Sequence, residues 1–384
     1  MTSILIAGDY SPMSRAAQLI EQGRADEVFS EVKKLTEKVD YSVVNLESTV
    51  AAGGDTPIRK TGPCLCCSAD AVSILRTVGF DMVTLANNHF ADYGDRAVAR
   101  SLETIETAGL DHVGGGRNLS DAEQPLYKKI RGETFAFINC CEHEFTIADE
   151  THGGSNPLNP VRQYYQIREA KSKADYVVVI THGGHEYFQL PSPRMQETYR
   201  FFIDAGADAV VNHHQHCYSG YEFYHDKPIV YGLGNFCFDM GSSGDSSRRR
   251  RMWHEGYAVQ IDFIDRQTAL TLHPYTQCDE KPLVSLLTDR TAFDKRINEL
   301  NTIILDKKKL KSATEAFYNE TEKCVLDIFE PYTERFHLLG AFRRGLLPSL
   351  AFMCGGHALR ARNAVWCEAH LDRLRHALDR IINR

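Results

Sequence analysis

Five short apolar runs, rich in β-branched residues, recur through the first two-thirds of the chain, and each ends in polar residues. Residues 3–7 lead into Gly8 and Asp9, 41–46 into Glu47, and 81–86 into Asn87, Asn88 and His89. Residues 176–180 lead into Thr181, His182, Gly183 and Gly184, and 209–211 into Asn212, His213, His214, Gln215 and His216. Runs of this length and composition predict strands buried on both faces. Between them the period changes. Ala71, Ile74, Leu75 and Val78 share a helical face over 69–78, and Ala97, Leu102 and Ile105 share another over 96–108. Strands alternating with helices predict a layered α/β fold with a largely parallel sheet. Polar residues gathered at the ends of buried strands mark the place where such folds bind ligands.

From about residue 288 the strand pattern stops. Phe293, Ile297, Leu300 and Ile304 mark one amphipathic helix; Phe317, Leu326 and Phe329 mark a second that stops before Pro331. Leu371, Leu374, Leu378 and Ile381 form a third stripe. The chain therefore divides into an α/β domain, 1–287, and a helical C-terminal region, 288–384. The apolar stretch 338–353 is interrupted by Gly340, Arg343, Arg344, Gly345 and Pro348, which favours a docked helical hairpin over a membrane anchor. The Gly/Ser/Arg segment 241–251 reads as a mobile loop with a solvated arginine run.

Composition narrows the class. A chain of 384 residues is long enough for one large domain plus an accessory region. A hydrophobic content of 43% with 25% charged residues is that of a soluble globular protein. The net charge of -7 argues against a nucleic-acid partner. It is compatible with an anionic small-molecule or polymer substrate, because a bound cation reverses the local field. The N-terminal apolar run is short and lacks a basic flank, so it reads as a strand and not a signal peptide. No stretch reaches the roughly 18 to 20 apolar residues of a membrane span. The expected location is cytoplasmic, and the eleven cysteines, an odd count, fit free thiols there.

Asp9, Glu47, Asn88, His182, His214 and His216 supply oxygen and imidazole donors at strand ends, a set suited to one or two divalent ions such as Mn, Fe or Zn. His89, beside one of these ligands, is placed to act as a general acid or electrostatic stabiliser. Alone, Gly-Asp after a strand is an ordinary turn and Asn-Asn-His an ordinary helix cap. Three histidines in four residues, with polar groups ending all five strands, point instead to a metal site. Glu186, four residues after His182, is a candidate substrate contact, as are Arg59 and Lys60 for an anionic group. Asp92 either orients His89 or begins the next helix. His143 and Glu144 follow another strand-like run and reach toward the same end. Asn235 and Phe236 are expected beneath the metal site. Gly114, Gly115 and Gly116 lack the Lys-Ser/Thr of a phosphate-binding P-loop.

The segment Ala86-Asn87-Asn88-His89-Phe90-Ala91-Asp92-Tyr93-Gly94 resembles the ANNHxxDYG signature of the bacterial poly-gamma-glutamate capsule synthesis (CapA-type) family. Asn45-Leu46-Glu47, Thr181-His182-Gly183-Gly184-His185-Glu186-Tyr187, His213-His214-Gln215-His216 and Tyr231-Gly232-Leu233-Gly234-Asn235-Phe236 match its other elements in order, over about residues 1–265. That family is similar to calcineurin-like metallophosphoesterases, which implies a four-layered α/β sandwich and hydrolysis of a phosphoester or related bond. The resemblance places Asp9 at the first Asp of DxH, Glu47 at the metal-bridging carboxylate, and Asn88 with His89 at the Asn-His of GNH. His182 falls at the isolated ligand histidine, and His214 with His216 at the final HxH. Two positions depart from the pattern. Asp9-Tyr10-Ser11 lacks the DxH histidine, and the bridge is Glu instead of the shorter Asp. The resemblance also implies a role in capsule-polymer biosynthesis beside other capsule-synthesis proteins. Two alternatives stand with the phosphoesterase reading: a non-catalytic partner of a polymer synthase or exporter, and a gamma-glutamyl amide hydrolase.

Overall fold

The computed structural model describes residues 1–241, 248–326 and 355–383. The first strand, Thr2–Ser11, is buried along its whole length. Ile4 and Ile6 belong to one apolar cluster and Leu5 and Ala7 to another, as the two-residue period of a strand requires. Val43/Val44 and Met82/Val83 divide in the same way. A sheet whose strands are apolar on both faces must be covered on both, and here it is.

That sheet has eight strands. Its path runs Val284–Leu286, Gln267–Gln277, Glu255–Ile264, Thr2–Ser11, Tyr41–Leu46, Met82–Thr84 and Asp111–Val113, with Asn235–Phe238 pairing with the end of the first strand. Thr2–Ser11, Tyr41–Leu46, Met82–Thr84 and Asp111–Val113 are mutually parallel, so their C-terminal ends share an edge. The three outer strands are antiparallel, so this sheet is mixed and not largely parallel as expected. A six-stranded sheet runs Tyr221–Tyr224, Lys227–Val230, Ala209–His213, Tyr176–His182, Glu133–Cys141 and Leu126–Ile130, parallel at its centre and antiparallel at both edges.

The sheets face each other across an aromatic layer. Phe135 of the six-stranded sheet stacks on Tyr176 at 5.0 Å between centroids and meets Phe263 of the eight-stranded sheet edge-on at 5.1 Å. Helices Ser14–Glu21, Ala25–Thr36, Ala69–Val78 and Gly94–Thr107 cover the outer face of the larger sheet. Pro160–Lys173 and Pro193–Ala205 cover that of the smaller. This is the four-layered sandwich that the resemblance implied. Phe135→Ala removes a fully buried ring that spans the two sheets, and should destabilise the protein by about 3–5 kcal/mol in a urea titration.

Beyond the last strand the described chain is helical. Thr291–Leu305 buries Phe293, Ile297, Leu300 and Ile304, the predicted stripe, against the core of the sandwich. Lys307–Leu326, Gly355–Trp366 and Glu368–Ile382 follow. The last helix buries Ala369, Leu374 and Ala377, whereas Leu378 and Ile381 are 46% and 47% exposed, so the expected leucine stripe is only partly its packing face. Residues 248–251, the end of the segment read as loop, begin a short helix, Arg248–His254, while 242–247 lie outside the described residues. Phe329, Pro331 and the hairpin expected over 338–353 lie outside the described residues. Among the described residues no helix is long and apolar enough to cross a membrane.

Candidate metal centre

The parallel strands of both sheets end side by side, and their last residues make one buried polar cluster. Asp9 is aimed there by a distortion of the first strand. Its register against Tyr41–Leu46 shifts between Ala7 and Asp9, a bulge of the kind that re-aims side chains beside active sites. Gly8 makes the bulge feasible: a Cβ there would overlap the carbonyl oxygen of Gly234, which accepts the Asp9 N–H at 3.1 Å.

Asn45 ties the two sheets together. Its Nδ2 donates to Asp9 Oδ1 at 2.8 Å and lies 3.3 Å from His182 Nδ1; its Oδ1 accepts from Thr84 at 3.1 Å. Asn88 Oδ1 is 3.0 Å from His182 Nε2, which is 3.2 Å from His214 Nδ1. His216 Nδ1 is held by Asn235 Oδ1 at 2.9 Å. His214 and His216 have φ of 91° and 53°, the left-handed region that favours glycine. Such backbone persists where surroundings enforce it, and His214 N–H donates to Asp9 Oδ2 at 3.2 Å.

Glu47 lies at the middle. It is 0% exposed, and among the described residues neither carboxylate oxygen has a hydrogen-bond partner. Its Oε1 is 3.8 Å from His182 Nε2 and 3.9 Å from the Nε2 atoms of His89 and His216. Two groups have ligand atoms all within 4.8 Å of one another, Glu47–His182–His214 and Asp9–Glu47–His216, and Glu47 belongs to both. Burial, then the charges of Asp9 and Glu186, push the Glu47 carboxyl well above its ordinary range. Burial also raises Asp9, but His213, His182 and His216 more than offset it, and its carboxyl is held well below the usual range. Burial, then the neighbouring His214, lowers His182 well below the usual imidazole value. A buried carboxylate without a donor, ringed by imidazole nitrogens too far away for hydrogen bonds, is a cavity shaped for cations. The residues fit divalent metal.

His89 stands at the edge of this cavity. Asp92 Oδ2 lies 2.6 Å from its Nδ1, so the imidazole keeps that proton and turns Nε2 toward Glu47. Burial lowers the ring to about 4, against the pull of Asp92. Asp92 does not cap the following helix, whose N-cap is Tyr93. Lys60, expected at the substrate, lies on the Nδ1 side of His89, its Nζ 3.1 Å from that nitrogen. Its side chain is 2% exposed and its ammonium donates to Asp92 Oδ1 at 2.5 Å and Asn88 O at 3.1 Å, because the buried Asp92 carboxylate needs a countercharge. Arg59 is diverted: it packs against the backbone of Gly355, at the start of a C-terminal helix. Glu186 is an exposed residue near the cluster; desolvation raises its carboxyl, but the charges of His216 and His214 outweigh that and lower it.

Several members were not singled out in the sequence. His213 Nδ1 lies 3.1 Å from Asp9 Oδ1, and Asn45 fastens Asp9 beside His182. Glu144 does reach the cluster, accepting from Asn88 Nδ2 at 3.4 Å, and is raised to about 7 by burial and then Glu186. His143 turns away, its Nδ1 2.7 Å from Glu368 Oε1. The cysteines from Cys64 to Cys278, Cys217 included, form no disulfide, and neither does Cys367.

A layered α/β protein with a shared-carboxylate histidine cluster at its strand ends is the class that fold and site define. The model of the family described as "Bacterial capsule synthesis protein PGA_cap" matches residues 3–240, and the chain belongs to that family. It is 32% identical to the capsule biosynthesis protein CapA of Bacillus anthracis over 62% of this chain and 60% of that protein. It is 34% identical to the PGA biosynthesis protein CapA of Bacillus subtilis (strain 168), over 62% and 64%. The chain thus spans somewhat less than two thirds of these relatives. Among solved structures, a 5'-nucleotidase precursor from Thermus thermophilus aligns with a TM-score of 0.45 and 10% identity, over 79% of this chain and 59% of that one.

Proposed function

We propose that this protein is a metal-dependent hydrolase whose site would hold two divalent ions, with Glu47 as the ligand common to both. The observation that carries this is the orphaned Glu47 carboxylate, shared by two groups of potential ligands. Asn88, His182 and His214 would complete one site; Asp9 and His216 would complete the other, which is a ligand poorer, as the missing histidine at Ser11 implies. When bound, such ions supply Lewis-acid polarisation and an acidified water.

The chain's own residues do the rest. Asn45, Asn87 and Asn235 hold Asp9, the strand-end loop and His216 in place, so the ligand geometry is fixed before a ligand arrives. Asp92 fixes the His89 tautomer, and Lys60 balances the Asp92 charge. The neutral ring presents Nε2 to the site and can take up a proton from solvent as an anionic substrate enters; it then gives that proton to the leaving group as the scissile bond breaks. Glu186 at the mouth contacts the substrate's polar groups. The substrate class is a phosphoester or a related polar bond, in an anionic molecule or polymer. The names of the relatives point to capsule-polymer biosynthesis as the setting, with capsule-synthesis proteins as partners. Because one relative is named for PGA biosynthesis, a gamma-glutamyl amide is the second substrate to try.

Metal analysis of the purified protein, followed by turnover of phosphoester and gamma-glutamyl substrates, tests this reading. Two equivalents of divalent metal are expected at the centre around Glu47, and a His214→Ala/His216→Ala variant should lose those two. Full metal retention in that folded variant would exclude the assignment. Asn235→Ala leaves His216 unsupported and should weaken metal affinity by about 10- to 100-fold, measured by competition with a chelating dye.

A further inference from the structure

We infer that Glu144, Cys367 and His370 form a separate zinc-type site that fastens the C-terminal helices to the sandwich beside the main centre. One ligand atom from each lies within 4.8 Å of the others. The three donors come from distant parts of the chain. Glu144 follows the strand Glu133–Cys141, whereas Cys367 is the N-cap of the last helix, Glu368–Ile382, and His370 lies in that helix's first turn. Cys367, the extended N-cap residue, and His370, three residues on in the first turn, sit together at the start of that helix. Sulfur, imidazole and carboxylate together suit Zn2+, and a hard-cation site would use no thiolate. Three protein ligands leave a fourth tetrahedral position open.

Other groups also hold the helix, and the Cys367 thiol itself donates to Glu142 Oε2 at 3.9 Å. Ala369 N–H donates to Glu142 Oε2 at 3.2 Å, and Arg194 bridges Glu142 at 2.7 Å and Asp372 at 2.8 Å. On the other side His143 N–H donates to Glu368 Oε2 at 2.8 Å. The three ligands are thus brought together before any ion binds. Asn363 Nδ2 lies 3.2 Å from His370 Nδ1; a cation held at Nε2 would require that carboxamide to turn over, so that its oxygen accepts the Nδ1 proton. None of the three residues belongs to the groups around Glu47, and Asn88 is the link between the two clusters. Cys367 and His370 also lie beyond the family-matched segment 3–240. Binding exchanges the thiol proton for the metal–sulfur bond, and the proton leaves to solvent.

Co2+ titrated into the metal-free full chain tests this, because the centre around Glu47 contains no sulfur. The expected result is a near-ultraviolet thiolate-to-cobalt charge-transfer band that Cys367→Ser abolishes and His370→Ala weakens or shifts. Both variants should lose one equivalent of bound metal, keep the visible bands of the nitrogen and oxygen centre, and retain the wild-type circular dichroism. A His214→Ala/His216→Ala variant should keep the charge-transfer band, so failure of the main centre and failure of this site read differently. Absence of the band in the wild type, or its survival in Cys367→Ser, overturns the proposal. If Cys367→Ser fails to fold, an unchanged band and metal count in His370→Ala does so as well.

Discussion

Glu47→Gln should lose at least one metal equivalent and fall to background turnover, the largest effect expected of any single substitution here. The change keeps the shape of the side chain and removes the charge that offsets two cations. The carboxylate also has no other work to do in the described fold, since neither oxygen is hydrogen-bonded. A bridge that polarises the reacting groups is worth several kcal/mol, and hence on the order of 1,000-fold or more in rate. Metal content by plasma mass spectrometry and turnover on the same sample read both outcomes. Glu47→Asp shortens the bridge; it should still bind metal but turn over more slowly. If Glu47→Gln keeps both ions and normal turnover, the bridging role is wrong.

His89→Ala should leave the metal content intact and lower turnover by about 100-fold or more, with the greatest loss on substrates that have poor leaving groups. His89 belongs to neither ligand group around Glu47 and its Nδ1 is committed to Asp92 at 2.6 Å, although its Nε2 is as near Glu47 as that of His216, 3.9 Å. Asp92→Asn should give a milder loss of about 10- to 100-fold, because it acts through the imidazole and not on the substrate. Equal rates for wild type and His89→Ala on a poor leaving group would end the proton-donor role. Loss of metal from His89→Ala would make it a ligand instead.

The strand ends were legible because strands buried on both faces leave a plain signal: an apolar run, then a change to polar residues. The helix over 69–78 coincides with Ala69–Val78, where Ser68 caps the start and Gly79 ends it with φ of 98°. The long antiparallel pair Glu255–Ile264 and Gln267–Gln277 is harder to read. Its two-residue connection is Asp265-Arg266 with φ of 48° and 68°, a turn that normally advertises itself with Asn-Gly. Lys60 could not be placed from sequence because its partner, Asp92, lies 32 positions away and looks like a helix start. The last helix misled in a different way. Its large leucines suggest the packing face, yet of Leu371, Leu374, Leu378 and Ile381 only Leu374 is buried, beside the small Ala369 and Ala377.

Asp9, Glu47 and Asn88 hang from the eight-stranded sheet, and His182, His214 and His216 from the six-stranded one. An ion that takes ligands from both would act as a rivet through the sandwich. Its occupancy would then be felt far from the chemistry, as resistance of the two halves to sliding apart. At a free-ion concentration 1,000 times the dissociation constant, such linkage adds about 4 kcal/mol to the folded state. Chelator treatment should therefore lower the melting temperature and speed hydrogen exchange in the aromatic seam around Phe135, Tyr176 and Phe263, turning thermal stability into a gauge of metal supply.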